Sequence, residues 1–424
     1  MNVLIVNTSE KTGGAAVAAS RLKTALRLNG VEVKMLVRDK ETYDNTVVSV
    51  GGGIFSRWHF LWERLQIFFH LHFSRDNLFL IDTALAGHDI TSLPEFKEAD
   101  IIHLHWVNQG MLSVGDIRKI LESGKPVVWT MHDLWPATSL CHYARGCDGF
   151  ENGCCCCPLL PHGGSRRDLS ARVWQKKYAV IAGHRIWFVA CSKWLRQQAM
   201  KSALLKVQPI TDIPNTIDTK VFRPTDKTAA RLRLGLPLCK HVILFVSQKV
   251  TDERKGMDYF ARAIERLGDV APSICKNTCI AVLGGHAGEV ASLLSLPVFP
   301  LGYVSDTRRI VDVYNAADVF VLPSLEDNLP NTIMESMACG VPCVGFHVGG
   351  IPEMIDHMKN GYVARYRDCL DLAEGMRWVL QHADDSRLRA EAVGKVAHSY
   401  SQQLVASRYI EVYGEAIKVK RNVI

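Results

Sequence analysis

No run of about 18 consecutive apolar residues occurs in this chain, so no segment is expected to cross a bilayer as a helix. The opening stretch, MNVLIVNTSEKTGG, lacks a basic lead and a sustained apolar core, and the expectation is a cytoplasmic protein without a secretory signal. RNP-like, zinc-finger and basic-zipper patterns are missing too, so no nucleic acid is expected as a partner. There is no low-complexity tract and no internal repeat, which excludes solenoids and flexible spacers. An excess of either charge is nearly absent: 50 Lys and Arg against 43 Asp and Glu leave a net +7, which suits anionic small molecules, a membrane surface or nucleic acid equally well.

What is present is ordinary globular material, 424 residues of which 48% are hydrophobic. That length favours two domains with cores large enough to need no disulfides. The chain opens as strand, glycine loop, helix and strand: VLIV (3–6), NTSEKTGG, a helical stretch closing at Gly30, then VEVKMLV (31–37). Further apolar runs at 99–106, 125–133 and 186–192 continue the pattern. A second series of fully apolar strands begins after PNTIDTKVFRP, at 241–247, 279–285, 298–304, 317–324 and 341–346, again alternating with helical segments. Apolar strands alternating with helices predict parallel sheets covered on both faces. The expected fold is α/β, with two Rossmann-like doubly wound domains. We expect 1–219 to form the first domain, completed by a C-terminal helix from about 398 to 424, and 220–397 the second. The stretch 385–418 reads as helical and amphipathic.

The segment PSLEDNLPNTIMESMACGVPCV (323–344) places an acidic, Asn- and Pro-rich loop at the carboxyl end of a buried strand. Ligands of open α/β sheets bind there. The following helix offers its positive end to phosphate, with Asn328, Leu329, Pro330, Asn331 and Thr332 forming the approach. Glu335 falls about one turn inside the helix, where it could reach ribose hydroxyls, and Asp327 faces the other end of such a ligand. Phosphate flanked by two carboxylates is the footprint of a nucleotide sugar. The alternative is a capped helix with two solvated acids.

This segment resembles the E-x7-E signature of the family 4 retaining glycosyltransferases, with Asp327 in place of the first glutamate. YNAADVFVLPS, ESMACGVPCV, GGIPEMI and NGYVA resemble that family's donor domain in order and spacing, and PNTIDTKVF resembles its interdomain segment, with Thr216 where glycine is usual. W-T-x-H-D-x-W followed by a cysteine cluster is similar to a bacterial exopolysaccharide, colanic-acid type subgroup. The resemblance implies a GT-B fold with its domains facing across a cleft, a nucleoside-diphosphate sugar donor, and a glycan or lipid-linked glycan acceptor. It implies that Lys255 neutralises the donor diphosphate, with Arg254 beside it, and that His132 acts near the transferred sugar. Where the family carries a GR pair this chain reads SQK (247–249), and Arg254 or Lys249 takes that place. Gly13 and Gly14, in the first strand-to-helix loop, would let backbone approach the ligand closely. No covalent nucleophile and no D-x-D metal motif is evident, so catalysis is expected to need no metal or other cofactor. Asp327 and the missing arginine also leave room for a catalytically silent scaffold of the same fold.

Of 13 cysteines, seven are scattered singly and are expected to pack as small hydrophobes. Six fall within an insertion at 141–157, where Cys141, Cys147, Cys154 and Cys157 could wrap a structural zinc; disulfides and free thiols are the other options. IFSRWHFLWERLQIFFHLHF (54–73) reads either as a buried helix or as an interfacial segment touching the inner membrane, with the basic tail KVKR (418–421) adding attraction.

Overall fold

The computed structural model describes residues 1–51 and 54–421, with the side chains of residues 54–56, 420 and 421 outside the description. The side chains that open the aromatic segment 54–73 and those of the last two residues of KVKR therefore lie outside it. Met1–Thr216 with Val405–Ile424 form one compact unit, and Ile217–Leu404 forms another.

Among the described residues the first unit holds a seven-stranded sheet. Its strands are β1 (Asn2–Ser9), β2 (Glu32–Asp39), β3 (Val47–Ser49), β4 (Ile101–Leu104), β5 (Val127–Met131), β6 (Trp187–Ala190) and β7 (Ile210–Asp212). They run parallel in the order β3-β2-β1-β4-β5-β6-β7. The second unit's sheet contains β8 (His241–Lys249), β9 (Thr278–Gly285), β10 (Val298–Gly302), β11 (Val319–Leu322), β12 (Cys343–Phe346) and β13 (Gly361–Ala364). Its order is β10-β9-β8-β11-β12-β13, again parallel. Strands β3, β7 and β13 escape a reading from hydrophobic runs because they are sheet edges of three or four residues with half-polar surroundings.

Period-two alternation divides the first unit's core into two layers. Leu4, Val6, Leu36, Ile102 and Leu104 point into one; Val3, Ile5, Met35, Val37 and Ile101 point into the other. The second layer is closed by two helices, Gly14–Leu28 and Gln402–Arg421, so the last stretch of chain returns to cover the first sheet. Tyr413 and Tyr409 on that returning helix reach the buried polar groups of the strands. The Tyr413 hydroxyl lies 2.7 Å from His103 Nδ1, and the Tyr409 hydroxyl 3.0 Å from Thr130 Oγ1. The helical tail read over 385–418 is in fact two helices, Ser386–Tyr400 and Gln402–Arg421. Ser401 breaks it because its backbone is extended (ψ 148°) and pairs as a bridge with Ile217.

Strand order reverses between β1 and β4 in one sheet and between β8 and β11 in the other. In doubly wound sheets the crevice at that reversal, outside the carboxyl ends, is where ligands sit. Below it, at the amino end of β11, Asp318 ties the second sheet to the helix Lys227–Leu234. It accepts from Arg231 Nη2, Lys227 Nζ and the Val242 amide, each at 2.7 Å. Burial alone would raise this carboxyl, but the Lys227 and Arg231 charges outweigh it and hold it below the usual range. Replacing Asp318 by Ala leaves a buried guanidinium unpaired and is expected to cost about 3 kcal/mol, read as a lower thermal midpoint. Because the folded pKa is depressed, the wild-type contribution is present above about pH 4 and lost as pH falls through the folded value.

Candidate active site

Two loops meet at the carboxyl ends of β8 and β11. The first, Asp252–Gly256, follows β8; the second, 323–330, follows β11. Leu325 N donates to the Arg254 carbonyl at 2.8 Å, and Arg254 Nη1 donates to the Glu326 carbonyl at 2.9 Å. Gly256 permits this contact: its φ is +74° and a Cβ there would stand 2.0 Å from the Pro323 oxygen. The approach carries Lys255 onto Asp327, with Nζ 2.5 Å from Oδ2. Ser324 Oγ donates to the same oxygen at 3.1 Å, and Arg254 stands 3.8 Å away. Burial would push Asp327 up, but the Lys255 and Arg254 charges and the hydrogen bonds from Lys255 and Ser324 hold it below the ordinary carboxylate value. Burial draws Lys255 down from the ordinary lysine value, against the opposing pull of Asp327. Of the two arginine substitutes considered, Arg254 joins this cluster, whereas Lys249 is an exposed residue at the end of β8.

Behind the loop, Asn331–Ala338 forms the helix, with Pro330 as its cap residue and Gly340 (φ +74°) just past its end. Glu335 is buried one turn in and accepts from the Tyr314 hydroxyl at 2.8 Å. Asp327 and Glu335 are 8% and 9% exposed, so neither is a solvated surface charge. Asn328 and Leu329 are buried too, while Asn331 and Thr332 are half-buried at the helix mouth. The backbone of 327 and 328 is clamped from above by a glycine turn. Gly350 N donates to the Asn328 carbonyl at 2.7 Å, and a Cβ on Gly349 would lie 1.6 Å from the Asp327 oxygen.

The first unit has its own cluster at the carboxyl ends of β4 and β5. His132 Nε2 lies 2.9 Å from His105 Nδ1, and its Nδ1 3.5 Å from the Cys191 thiol. Next to it, Asp133 accepts from the Trp106 indole at 2.9 Å and contacts His142 Nδ1 at 2.7 Å, while His142 Nε2 reaches Asp82 at 2.6 Å. Burial pushes His132 down to about 4 and His103 to about 3, so both imidazoles are neutral near pH 7. Gly13 caps the first helix with φ +96°, a conformation glycine adopts without strain, and Gly14 begins that helix. Sequence reading named His132 and, in the motif W-T-x-H-D-x-W, its neighbour Asp133, but missed His142 and Asp82 beside them, and Tyr314 and Ser324 behind the acids. Asp82 and His142 are 60 residues apart, and no local motif joins them.

Cys141, Cys147, Cys154 and Cys157 line one mainly apolar cavity, and burial pushes Cys141 up to about 11 and Cys154 to about 12. All are free thiols, and among the described residues no three Cys, His, Asp or Glu are placed to share a metal ion. A zinc ion would require these sulfurs to converge and lose their protons. Of the scattered cysteines, Cys191, Cys279, Cys339 and Cys343 are buried as expected, but Cys239 is exposed.

Comparison with known proteins bears on both units. The family model described as Glycosyltransferase Family 4 matches residues 12–221, and that described as Glycosyl transferases group 1 matches residues 240–382. The chain is a family 4 glycosyltransferase. Curated relatives include proteins named D-inositol 3-phosphate glycosyltransferase. That of Thermobispora bispora is 28% identical over 75% of this chain and 71% of its own, and that of Streptosporangium roseum 29% over 75% and 70%. Among solved structures, the sucrose-phosphate synthase of Thermosynechococcus elongatus aligns with a TM-score of 0.67 at 17% identity, covering 99% of each chain. Anabaena HepE in complex with UDP-glucose aligns at 0.63 and 14%, covering 98% of this glycosyltransferase and 100% of HepE. These neighbours share the GT-B fold.

The histidine cluster makes this glycosyltransferase acid-sensitive. An unfolded imidazole titrates near 6.5, well above the folded values of about 4 and about 3 for His132 and His103. Their contribution to stability is therefore complete above about pH 6.5 and is lost as pH falls through the folded values. A denaturation series is expected to show stability declining steadily from about pH 6.5 to pH 4, and Asn in place of His132 should flatten part of that slope.

Proposed function

We propose that this glycosyltransferase draws a sugar from a nucleoside-diphosphate donor held on the Ile217–Leu404 unit. It passes the sugar, with retained configuration, to a glycan acceptor held on the other unit. The observation that carries this reading is the buried Lys255–Asp327 pair, set against the positive end of the helix Asn331–Ala338 at the strand-order reversal. A diphosphate arriving there meets a desolvated ammonium and a helix dipole, and both strengthen as negative charge gathers on the leaving group. Asp327 keeps Lys255 charged and aimed, Arg254 adds a second cation, and Glu335, steadied by Tyr314, offers a carboxylate to ribose hydroxyls. The leaving phosphate takes the acceptor's proton on the same face of the sugar. The neutral imidazole of His132 supplies a hydrogen bond to a sugar or acceptor hydroxyl. Lys255, Arg254 and the helix end take the part a divalent cation would otherwise play, so transfer needs no metal.

The UDP-glucose held by Anabaena HepE, a structural neighbour, agrees with a nucleotide-sugar donor. For the acceptor, W-T-x-H-D-x-W and the cysteine loop favour a lipid-linked, exopolysaccharide-type glycan reached from the inner face of a membrane. The relatives' names favour a second reading, an inositol phosphate acceptor. The cysteine loop serves as a structural element, as zinc-bound thiolates or as thiols, which elemental analysis of the reduced protein separates.

In a thermal-shift screen of UDP-, GDP- and ADP-sugars, the true donor should stabilise the protein by about 2.7 kcal/mol at a hundredfold excess over its Kd. Glu335→Gln and Lys255→Ala should each lower transfer or donor hydrolysis by at least about 100-fold. The thermal midpoint is expected to be largely kept in Glu335→Gln and lowered in Lys255→Ala, which leaves buried Asp327 without its main counter-charge. Turnover unchanged in both variants overturns the assignment. Chelation with EDTA is expected to leave the rate unchanged.

A further inference from the structure

The helix Ile54–His70 is inverted for a surface helix. Its buried side carries an acid and a base: Glu63 accepts from the Thr83 and Ala84 amides at 2.9 and 2.6 Å, and Arg64 pairs with buried Asp82. Its open side is aromatic and aliphatic. Trp58, Leu61, Trp62, Leu65 and Phe69 are 59, 56, 45, 42 and 53% exposed. These positions follow i, i+3, i+4, i+7, i+11 and so form one stripe. Phe73, at 64% exposure, extends it beyond the helix end and packs edge-on against Phe69. A contiguous stripe of this kind marks an interaction surface, unlike scattered exposed side chains.

The stripe ends at a basic groove. His70, the last residue of the helix, opens a cavity of about 430 Å³ that is also lined by Arg118, Arg172 and Lys176, with no acid in its walls. Ile67 and Leu71 pack with Leu169 and Val173 in one core cluster, so the aromatic helix and the helix Leu169–Ile181, which carries Arg172 and Lys176, are seated side by side. The nearby acids have other partners or face away from this chemistry: Asp168 caps its own helix, and Glu63 and Asp82 are buried in the pairs above.

We infer that this face docks the protein on an anionic lipid bilayer, the Trp and Phe stripe entering the headgroup region and the Arg118, Arg172, Lys176 groove taking a lipid phosphate. Large aromatic side chains suit the interface, and cations beside them suit an acidic leaflet. A second copy of the chain is the poorer occupant, since a symmetric contact over this face would bring two cationic grooves into one interface between proteins each at net +7. The inference deepens the membrane-side acceptor reading above and rests on it for its purpose, but binding is measured without turnover.

The test is co-sedimentation with vesicles. Wild type and the turnover-deficient Glu335→Gln are both expected to pellet with phosphatidylcholine vesicles containing about 30% phosphatidylglycerol, and far less with phosphatidylcholine alone. Pairing Trp58→Ser with Trp62→Ser, or Arg172→Glu with Lys176→Glu, should lower the bound fraction at least about fivefold while donor hydrolysis in solution is kept. Raising salt from roughly 0.1 to 0.5 M should weaken wild-type binding. No pelleting above the vesicle-free control, or pelleting indifferent to both pairs of substitutions, overturns the inference. So does light scattering that shows a wild-type dimer converted to monomer by the tryptophan substitutions. Vesicle binding without any transferase activity would instead sink the acceptor reading and leave the docking surface standing.

Discussion

Lys255 and Asp327 meet 2.5 Å apart in a place where neither charge has much water, and the surrounding loops are arranged so that this can happen. Gly256 lets one loop lie against Pro323, and Gly349 lets the glycine turn close over Asp327. Two buried charges of opposite sign are costly to separate from solvent and costlier still to leave unpaired. The pair is therefore held by its frame, and the frame consists of positions where an added side chain would collide with backbone. The same geometry leaves a cation presented at the mouth of a helix, ready for an anionic partner.

Each unit solves the problem of a polar site on an apolar sheet in its own way. The second unit meets its acids with local donors, Asp327 with Lys255 and Ser324, and Glu335 with Tyr314. The first sets two groups at neighbouring positions, His105 against His132, and Asp133 against His142, which in turn reaches Asp82. Buried groups of this sort favour a single arrangement because losing one member leaves its partner stranded.

Much of this was legible in the order of residues. Fully apolar strands alternating with helices gave two parallel sheets, and the loop after VFVL gave the acids and the helix mouth, while Lys255, 72 residues before Asp327, came only with the family resemblance. The short edge strands β3, β7 and β13 were not legible, because three or four half-exposed residues produce no hydrophobic signal. The break at Ser401 was hidden as well, since it depends on pairing with Ile217 far upstream. The frame behind His132 depends on Asp82 and His142, which only tertiary packing brings together. The aromatic segment 54–73 was ambiguous for a different reason. Its composition is apolar nearly all round, and only the structure shows that the buried side is the one carrying Glu63 and Arg64.

The first unit is assembled from both ends of the polypeptide, since the helix Gln402–Arg421 completes the layer begun by β1. On the ribosome, Ile217–Leu404 therefore emerges and can fold as an uninterrupted stretch while the earlier residues still wait for Tyr409 and Tyr413. Until those tyrosines leave the exit tunnel, His103, Thr130 and the apolar face around them stand uncovered in the nascent chain. The domain synthesised first is thus the one that matures last, and the interval between is when it has most need of a chaperone.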